Sequence, residues 1–124
     1  MNLVDSCGWL EYFADEHNAN FFAPAIEDTQ NLIVPSICIL EVFKRILQQR
    51  DEDSALQGVA LMNQGKVLDL STPVALRAAK LSYTLKLPLA DSVIIATAQF
   101  HDAVIWTQDV HCKNLPNTRY PSPQ

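Results

Sequence analysis

Four acidic residues occupy positions from which they could act together on one ligand. Asp5 and Asp109 each follow a short apolar run that reads as a buried strand, Glu41 lies about one turn into a helix that leaves another strand, and Asp91 opens an apolar helix. In an open parallel sheet, ligands bind outside the carboxyl ends of the strands. We therefore expect the four carboxylates to converge on one edge of a sheet.

Such a cluster predicts a metal-dependent reaction. Carboxylates gathered in one cleft repel one another, and burial makes their ionisation costlier still, but a divalent cation removes both problems. Sites made only of oxygen ligands favour hard ions such as Mg²⁺ or Mn²⁺, which keep water and phosphate oxygens as further ligands. Such ions can activate a water molecule and stabilise the leaving oxygen when a phosphodiester is cleaved.

Each acid also has a purely structural explanation. Asp5 and Asp91 could cap helices, Asp109 could belong to a turn, and Glu41 could pair with Lys44 or Arg45 on the surface of a helix. Only the common placement of all four favours a shared site.

Composition limits the class of protein. The 124 residues are 48% hydrophobic with only 3 glycines, which predicts one globular domain over residues 1–124. No apolar run approaches the roughly 20 residues that span a bilayer, and the amino terminus MNLVDS lacks the features of a signal peptide. We expect no membrane association and a cytoplasmic location.

The net charge of −5 argues against a protein that binds nucleic acid through a basic surface. It leaves open a nuclease that contacts phosphate through metal ions. Cys7, Cys38 and Cys112 are odd in number and lack CxxC spacing, so neither a disulfide framework nor a zinc site is predicted. They are expected to be small apolar residues.

The elements that must position the acids alternate between strand and helix, which predicts an α/β domain with a mainly parallel sheet. The predicted strands cover Asn2–Val4, Leu32–Pro35, 66–70 and 103–106, with a possible short edge strand at 119–120. The third strand should follow a helix over about 54–63 that Gly65 closes.

Serine and proline residues mark the predicted helix starts. Ser6 and Ser36 are predicted N-caps, and the segment 71–73 is predicted to begin a helix that reaches Leu87. Pro24 is tolerable only near the first turn of a short helix. The helix that Asp91 opens is apolar on almost every side and must be buried.

Several segments together resemble the PIN-domain ribonucleases, and among them the compact VapC-type toxins of toxin-antitoxin pairs. They are Val4-Asp5-Ser6, Trp9-Leu10, Leu40-Glu41-Val42-Phe43, the LADSVIIATA helix from Leu89, and Thr107-Gln108-Asp109. The resemblance covers nearly the whole chain and implies a three-layer α/β/α domain whose sheet has about five strands.

The resemblance also implies how the site works. Asp5, Glu41, Asp91 and Asp109 would be the catalytic, metal-binding acids, and Ser6 and Thr107 would support them through hydrogen bonds. The cofactor would be Mg²⁺ or Mn²⁺, and the substrate would be RNA. Relatives form homodimers and are inhibited by a small antitoxin whose tail covers the acidic groove.

The chain departs from the family pattern at two places. His111-Cys112 follows the last acid where relatives commonly have an acid or a histidine followed by Phe, which could change substrate contacts or add a ligand. His101-Asp102 replaces a turn that often contains Gly, so Asp102 must adopt a conformation that it enters less easily. His111 and Cys112 cannot form a tetrahedral soft-metal site by themselves.

Other functions fit the residues less well. A phosphoryl-transfer domain of the haloacid dehalogenase kind needs a second Asp where this chain has Cys7, and a receiver domain needs paired acids after the first strand. A nucleophilic Cys7 has no clearly placed histidine. The main alternative is a catalytically silent PIN-like module that binds RNA or a protein.

Overall fold

A computed structural model of the chain describes residues 1–122. Its centre is a five-stranded sheet in the order β3-β2-β1-β4-β5, in which all neighbouring strands are parallel. The strands are β1 (Asn2–Val4), β2 (Leu32–Pro35), β3 (Lys66–Leu68), β4 (Val104–Trp106) and β5 (Thr118–Arg119). The predicted α/β class and the sheet of about five strands are confirmed.

Six helices among the described residues flank the sheet. They are α1 (Ser6–Phe13), α2 (Ala19–Glu27), α3 (Ser36–Gln49), α4 (Glu52–Met62), α5 (Thr72–Leu85) and α6 (Leu89–Phe100). Short 3₁₀ turns cover Thr29–Asn31 and Val110–Cys112. None of the helices within residues 1–122 is both long and apolar enough to cross a membrane.

The hydrophobic core contains apolar side chains from the strands and from the helices on the sheet. All four residues of β2 are buried, as expected of a strand covered on both faces. Trp9 and Phe22 are completely buried, on α1 and α2 respectively. Residues 92–98 of α6 are all buried, which confirms the prediction of a buried helix there. The strands and helices next to the acids therefore pack into the core.

The predicted serine caps are wrong. Asp5, not Ser6, caps α1: its backbone is extended, and its carboxylate accepts a hydrogen bond of 2.6 Å from the Ser6 amide. Pro35 precedes the first residue of α3, so Ser36 is already helical and is not the cap. In the same way α6 begins at Leu89, so that Asp91 lies in the first turn instead of at its start.

Pro24 lies at the sixth position of α2, beyond the first turn where it was expected. It is on the exposed side of the helix, where water can bond the carbonyl group that lacks its N–H partner. α4 begins two residues earlier than predicted, because the Asp51 carboxylate accepts a hydrogen bond of 2.7 Å from the amide of Ser54.

Gly65 does not act as a left-handed helix cap, since no glycine among the described residues has a positive φ. It allows close packing instead: a Cβ atom there would lie 3.0 Å from Val34 Cγ2 and 3.1 Å from the carbonyl oxygen of Leu32. Asp102 does adopt the strained turn conformation that the sequence requires, with φ of 50°.

Candidate metal centre

Three of the four predicted acids meet at the carboxyl edge of the sheet. β1 and β4 are neighbours, with Val4 aligned with Trp106, so the residues that follow them emerge side by side. A carboxylate oxygen of Asp5 and one of Asp109 lie within 4.8 Å of each other, and the same holds for Asp91 and Asp109. The neighbouring ends of two strands and the first turn of α6 thus supply the cluster.

The Thr107 side chain holds two of the acids in place. Its hydroxyl donates a hydrogen bond of 2.8 Å to Oδ2 of Asp5 and accepts one of 2.9 Å from the backbone amide of Asp109. Thr107 is fully buried, and Asp5 is only 4% exposed. A buried carboxylate must be satisfied by donors, and Asp5 obtains them from Thr107 and from the Ser6 amide.

His111 extends the cluster on the side of Asp109. Its Nδ1 lies 2.8 Å from Oδ1 of Asp109 and 3.7 Å from Oδ2 of Asp91, and its backbone amide donates a hydrogen bond of 3.0 Å to Asp109. The 3₁₀ turn that follows Asp109 produces this geometry, since it brings His111 back over the acid two residues earlier.

The acids differ in how readily they ionise. Burial raises the pKa of Asp5, although hydrogen bonds from Thr107 and Ser6 act against this rise. Burial, together with the adjacent Asp109 carboxylate, raises the pKa of Asp91 to about 7. Burial also acts to raise the pKa of Asp109, but hydrogen bonds from His111 and from protonated Asp91 outweigh it and lower that pKa.

Glu41 lies apart from the other three acids. The hydroxyl of Ser6, one residue after Asp5, donates a hydrogen bond of 2.7 Å to Glu41 Oε1. Glu41 is half-buried on α3 and is not in either group of metal-ligating atoms that lie within 4.8 Å of one another. The structure therefore places Glu41 beside the cluster and connects it through Ser6.

Two cysteines that were expected to be ordinary small apolar residues lie beside the acids. Cys112 Sγ lies within 4.8 Å of oxygens of Asp5 and Asp109, and Cys7 Sγ lies 3.5 Å from Asp5 Oδ2. Burial and the charge of Asp5 raise the pKa of both thiols to about 12, which argues against a nucleophilic Cys7. Their spacing, two and three residues after an acid, was the available sequence signal.

The cluster is chemically suited to a divalent cation. Asp5, Asp91 and Asp109 offer oxygen ligands, and burial raises the pKa values of Asp5 and Asp91, which makes their ionised forms costly. A cation would supply that compensation. His111 and Cys112 could add a nitrogen or a sulfur ligand.

Comparison with known proteins agrees with this architecture. The family model described as "PIN domain" matches residues 3–117. No curated protein sequence matches the chain.

Solved structures share the fold at low sequence identity. A toxin-antitoxin complex from Klebsiella pneumoniae has 22% identity and a TM-score of 0.81, with 98% of each chain covered. DNA-bound VapBC from Salmonella typhimurium has 18% identity and a TM-score of 0.75, again with 98% of each chain covered. VapC20 from Mycobacterium tuberculosis, a sarcin-ricin loop cleaving toxin, has 9% identity and a TM-score of 0.72, with 84% of this chain and 85% of that chain covered.

Proposed function

Since this chain belongs to the PIN domain family, we propose that it is a metal-dependent endoribonuclease that cleaves RNA phosphodiester bonds. One observation carries the proposal. At one edge of the sheet, a carboxylate oxygen of Asp5 and one of Asp91 each lie within 4.8 Å of a carboxylate oxygen of Asp109. Helix capping and other structural roles do not require three carboxylates to lie this close together, and their mutual repulsion costs electrostatic energy.

The proposed cofactor is Mg²⁺ or Mn²⁺, with Asp5, Asp91 and Asp109 as its ligands. When bound, the ion would activate the attacking water and stabilise the leaving oxygen. The chain's own groups would keep the ligands in position: Thr107 orients Asp5, and Ser6 holds Glu41 at the rim of the cluster. We assign Glu41 to the catalytic set as well, where its carboxylate would orient water or substrate.

We also propose that the protein is the toxin of a toxin-antitoxin pair, inhibited by a small partner protein. Support comes from the solved structures, two of which contain a protein of this fold in toxin-antitoxin complexes. An acidic groove would attract a basic side chain of such a partner.

We propose that the protein forms a homodimer and that α5 is part of the interface between the two subunits. Leu76 and Tyr83 of this helix, seven residues apart and so on one face, are 65% and 86% exposed. Exposed apolar side chains grouped on one element are typical of an interaction surface. Light scattering of the parent and of Leu76→Asp would test this, with a monomeric parent contradicting it.

Nuclease activity is tested with the purified chain, labelled RNA, and Mg²⁺ or Mn²⁺. Asp5→Asn and Asp109→Asn should abolish cleavage, and a chelator should do the same. Asp53→Asn, which changes an exposed acid of α4, is the matched control and should cleave like the parent. Cleavage that survives both the chelator and the site substitutions would contradict the proposal.

The toxin assignment needs a separate test. Expression of the chain alone should slow growth, and co-expression of the protein encoded next to it should restore growth. Harmless expression of a folded, RNA-cleaving chain would contradict the toxin assignment and leave the nuclease proposal intact. RNA binding without cleavage would instead favour a catalytically silent binding module.

A further inference from the structure

We propose that a cleft beside the acid cluster binds one nucleotide of the RNA substrate, with Lys113 contacting a phosphate and Tyr120 stacking on a base. The inference rests on the proposed function and names the part of the chain that holds the substrate next to the acids. It concerns residues outside the family motifs.

The cleft is an open cavity of about 440 Å³. Its lining includes His17 and Asn18 from the loop between α1 and α2, Gln108 from the end of β4, and Lys113 and Tyr120 from the segments around β5. These side chains supply an ammonium group, an imidazole, amides and an aromatic ring. Among the described residues no acid lines the cleft itself, in contrast to the neighbouring acid cluster; the Glu11 carboxylate lies beneath it, bound to Asn18 and Gln108.

The cleft adjoins the acid cluster along two stretches of the chain. Gln108 directly precedes Asp109, and Lys113 directly follows Cys112, whose Sγ lies within 4.8 Å of oxygens of Asp5 and Asp109. Consecutive Cα atoms are about 3.8 Å apart. A polynucleotide with a phosphate at the acids would therefore reach the cleft with an adjoining nucleotide.

Hydrogen bonds fix the floor of the cleft before any ligand arrives. Asn18 Nδ2 donates to Gln108 Oε1 over 2.9 Å, and Gln108 Nε2 donates to Glu11 Oε1 over 3.1 Å. The backbone amide of Asn18 also donates to Glu11, over 2.8 Å. Binding to a floor that is already ordered costs little conformational entropy.

Lys113 and Tyr120 form the part of the cleft that would recognise a nucleotide. The ammonium nitrogen of Lys113 lies over the face of the Tyr120 ring, 5.2 Å from its centre, and within residues 1–122 Lys113 forms no salt bridge. Lys113 must therefore turn away from the ring toward a phosphate before a base can stack there. A cation that contacts phosphate beside an aromatic ring on which a base stacks is the usual means of holding single-stranded nucleic acid. In a chain of net charge −5, such a cation offsets repulsion between the acids and RNA.

The test measures binding of a fluorescein-labelled single-stranded RNA of mixed sequence, in chelator, as a function of salt. Lys113→Gln should weaken binding and reduce the salt slope by about 0.7, the value for one phosphate contact on a single strand. Tyr120→Leu should weaken binding roughly tenfold, whereas Tyr120→Phe should bind like the parent because it keeps the ring.

Lys66→Gln is the matched control, since Lys66 is an exposed lysine on β3 at the opposite edge of the sheet. Equal melting temperatures of the variants would show that the fold is intact. The same variants are assayed for cleavage with Mn²⁺, where Lys113→Gln and Tyr120→Leu should raise KM and leave kcat unchanged.

The outcomes separate this inference from the proposed function. RNA bound and cleaved equally well by the parent, Lys113→Gln and Tyr120→Leu overturns the cleft assignment and leaves the nuclease proposal standing. A parent that neither binds nor cleaves RNA overturns both. If Lys113→Gln and Tyr120→Leu still bind RNA but no longer bind the protein encoded by the neighbouring gene, the cleft binds a protein partner and the nucleotide assignment is overturned.

Discussion

The hydroxyl of Thr107 donates a hydrogen bond of 2.8 Å to Oδ2 of Asp5, and both side chains are buried at the carboxyl ends of adjacent strands. The same hydroxyl accepts a bond from the Asp109 amide, so one side chain fixes two acids that are 104 positions apart in the chain. Alignment of β1 with β4 makes this contact possible. The geometry of the cluster therefore depends on a neutral residue as much as on the acids.

Thr107→Val should lower stability and weaken metal binding. Valine keeps the shape of threonine but removes the donor to a buried carboxylate, which costs about 1–3 kcal/mol. Without that bond the pKa of Asp5 should rise further, so a proton should compete more strongly with the ion for this carboxylate. The measurements are the melting temperature without metal and the titrated affinity for Mn²⁺.

Thr107→Ser is the matched control, because serine keeps the hydroxyl and can make both hydrogen bonds. It should bind Mn²⁺ much more tightly than Thr107→Val. If the valine variant matched the parent in melting temperature and in affinity, the Thr107 hydroxyl would have no part in holding Asp5.

Ser6→Ala should change the reaction more than the fold. The Ser6 hydroxyl donates to the half-buried Glu41 side chain, and losing one such bond costs about 1 kcal/mol. Glu41 would then sample other rotamers, so kcat for RNA cleavage should fall while the affinity for Mn²⁺ changes little. An unchanged kcat would argue that the position of Glu41 is unimportant for the reaction.

Gly8→Ala should destabilise the protein strongly, whatever its function. A Cβ atom on Gly8 would lie 2.6 Å from the Phe22 ring and 2.7 Å from Val4 Cγ1, so α1 would have to move away from α2 and β1. Overpacking of this kind typically costs about 1–3 kcal/mol, and occasionally more. Thermal or urea unfolding measures the loss.

Gly58→Ala provides the comparison for that variant. The nearest atom to its added Cβ would be Ile46 Cδ1 at 3.2 Å, at the flexible end of a side chain, and alanine is favoured over glycine within α4. This variant should be close to neutral. Equal destabilisation of both variants would mean that the packing of α1 on α2 is not as tight as the structure describes.

The sequence predicted the strands and the edge where the acids meet because these depend on patterns of apolar residues that are local in the chain. The buried helix α6 was predicted for the same reason, whereas the strained turn at Asp102 was predicted from the family resemblance, because relatives often have Gly there. The predicted caps Ser6 and Ser36 were wrong because a one-residue shift, to Asp5 and to Pro35, leaves the apolar pattern unchanged. The helix start predicted at 71–73 is confirmed, with Ser71 as the N-cap of α5.

Contacts across the sheet were beyond prediction from local patterns. The approach of Cys112 to Asp5 depends on the register of β1 against β4 and on the 3₁₀ turn after Asp109. The bond from Ser6 to Glu41 depends on how α3 packs beside α1. The metal-binding role of Asp5, Asp91 and Asp109 and the catalytic role of Glu41 stay predictions.

The stability of the metal-free protein should depend on pH through Asp91. Its pKa is raised from the ordinary value of 3.8 to about 7, so between these values the native state binds more protons than the unfolded state. Stability should therefore fall as pH rises from about 4 to about 7 and stay lower above that range. Asp91→Asn removes the titrating group, so its advantage over the parent should grow across the same interval.

Asp91→Asn should also show whether Asp91 is a metal ligand or has only a structural role. At pH 8 the metal-free variant should melt about 3 °C or more above the parent, since removing one charge from a close pair is worth on the order of 1 kcal/mol. Added Mn²⁺ should stabilise the parent by mass action, and more at pH 8 than at pH 6, because at the lower pH a proton on Asp91 competes with the ion. The variant should gain much less at either pH. Equal metal-induced shifts in both proteins would mean that Asp91 is not a ligand, and its raised pKa would then reflect burial beside Asp109 alone.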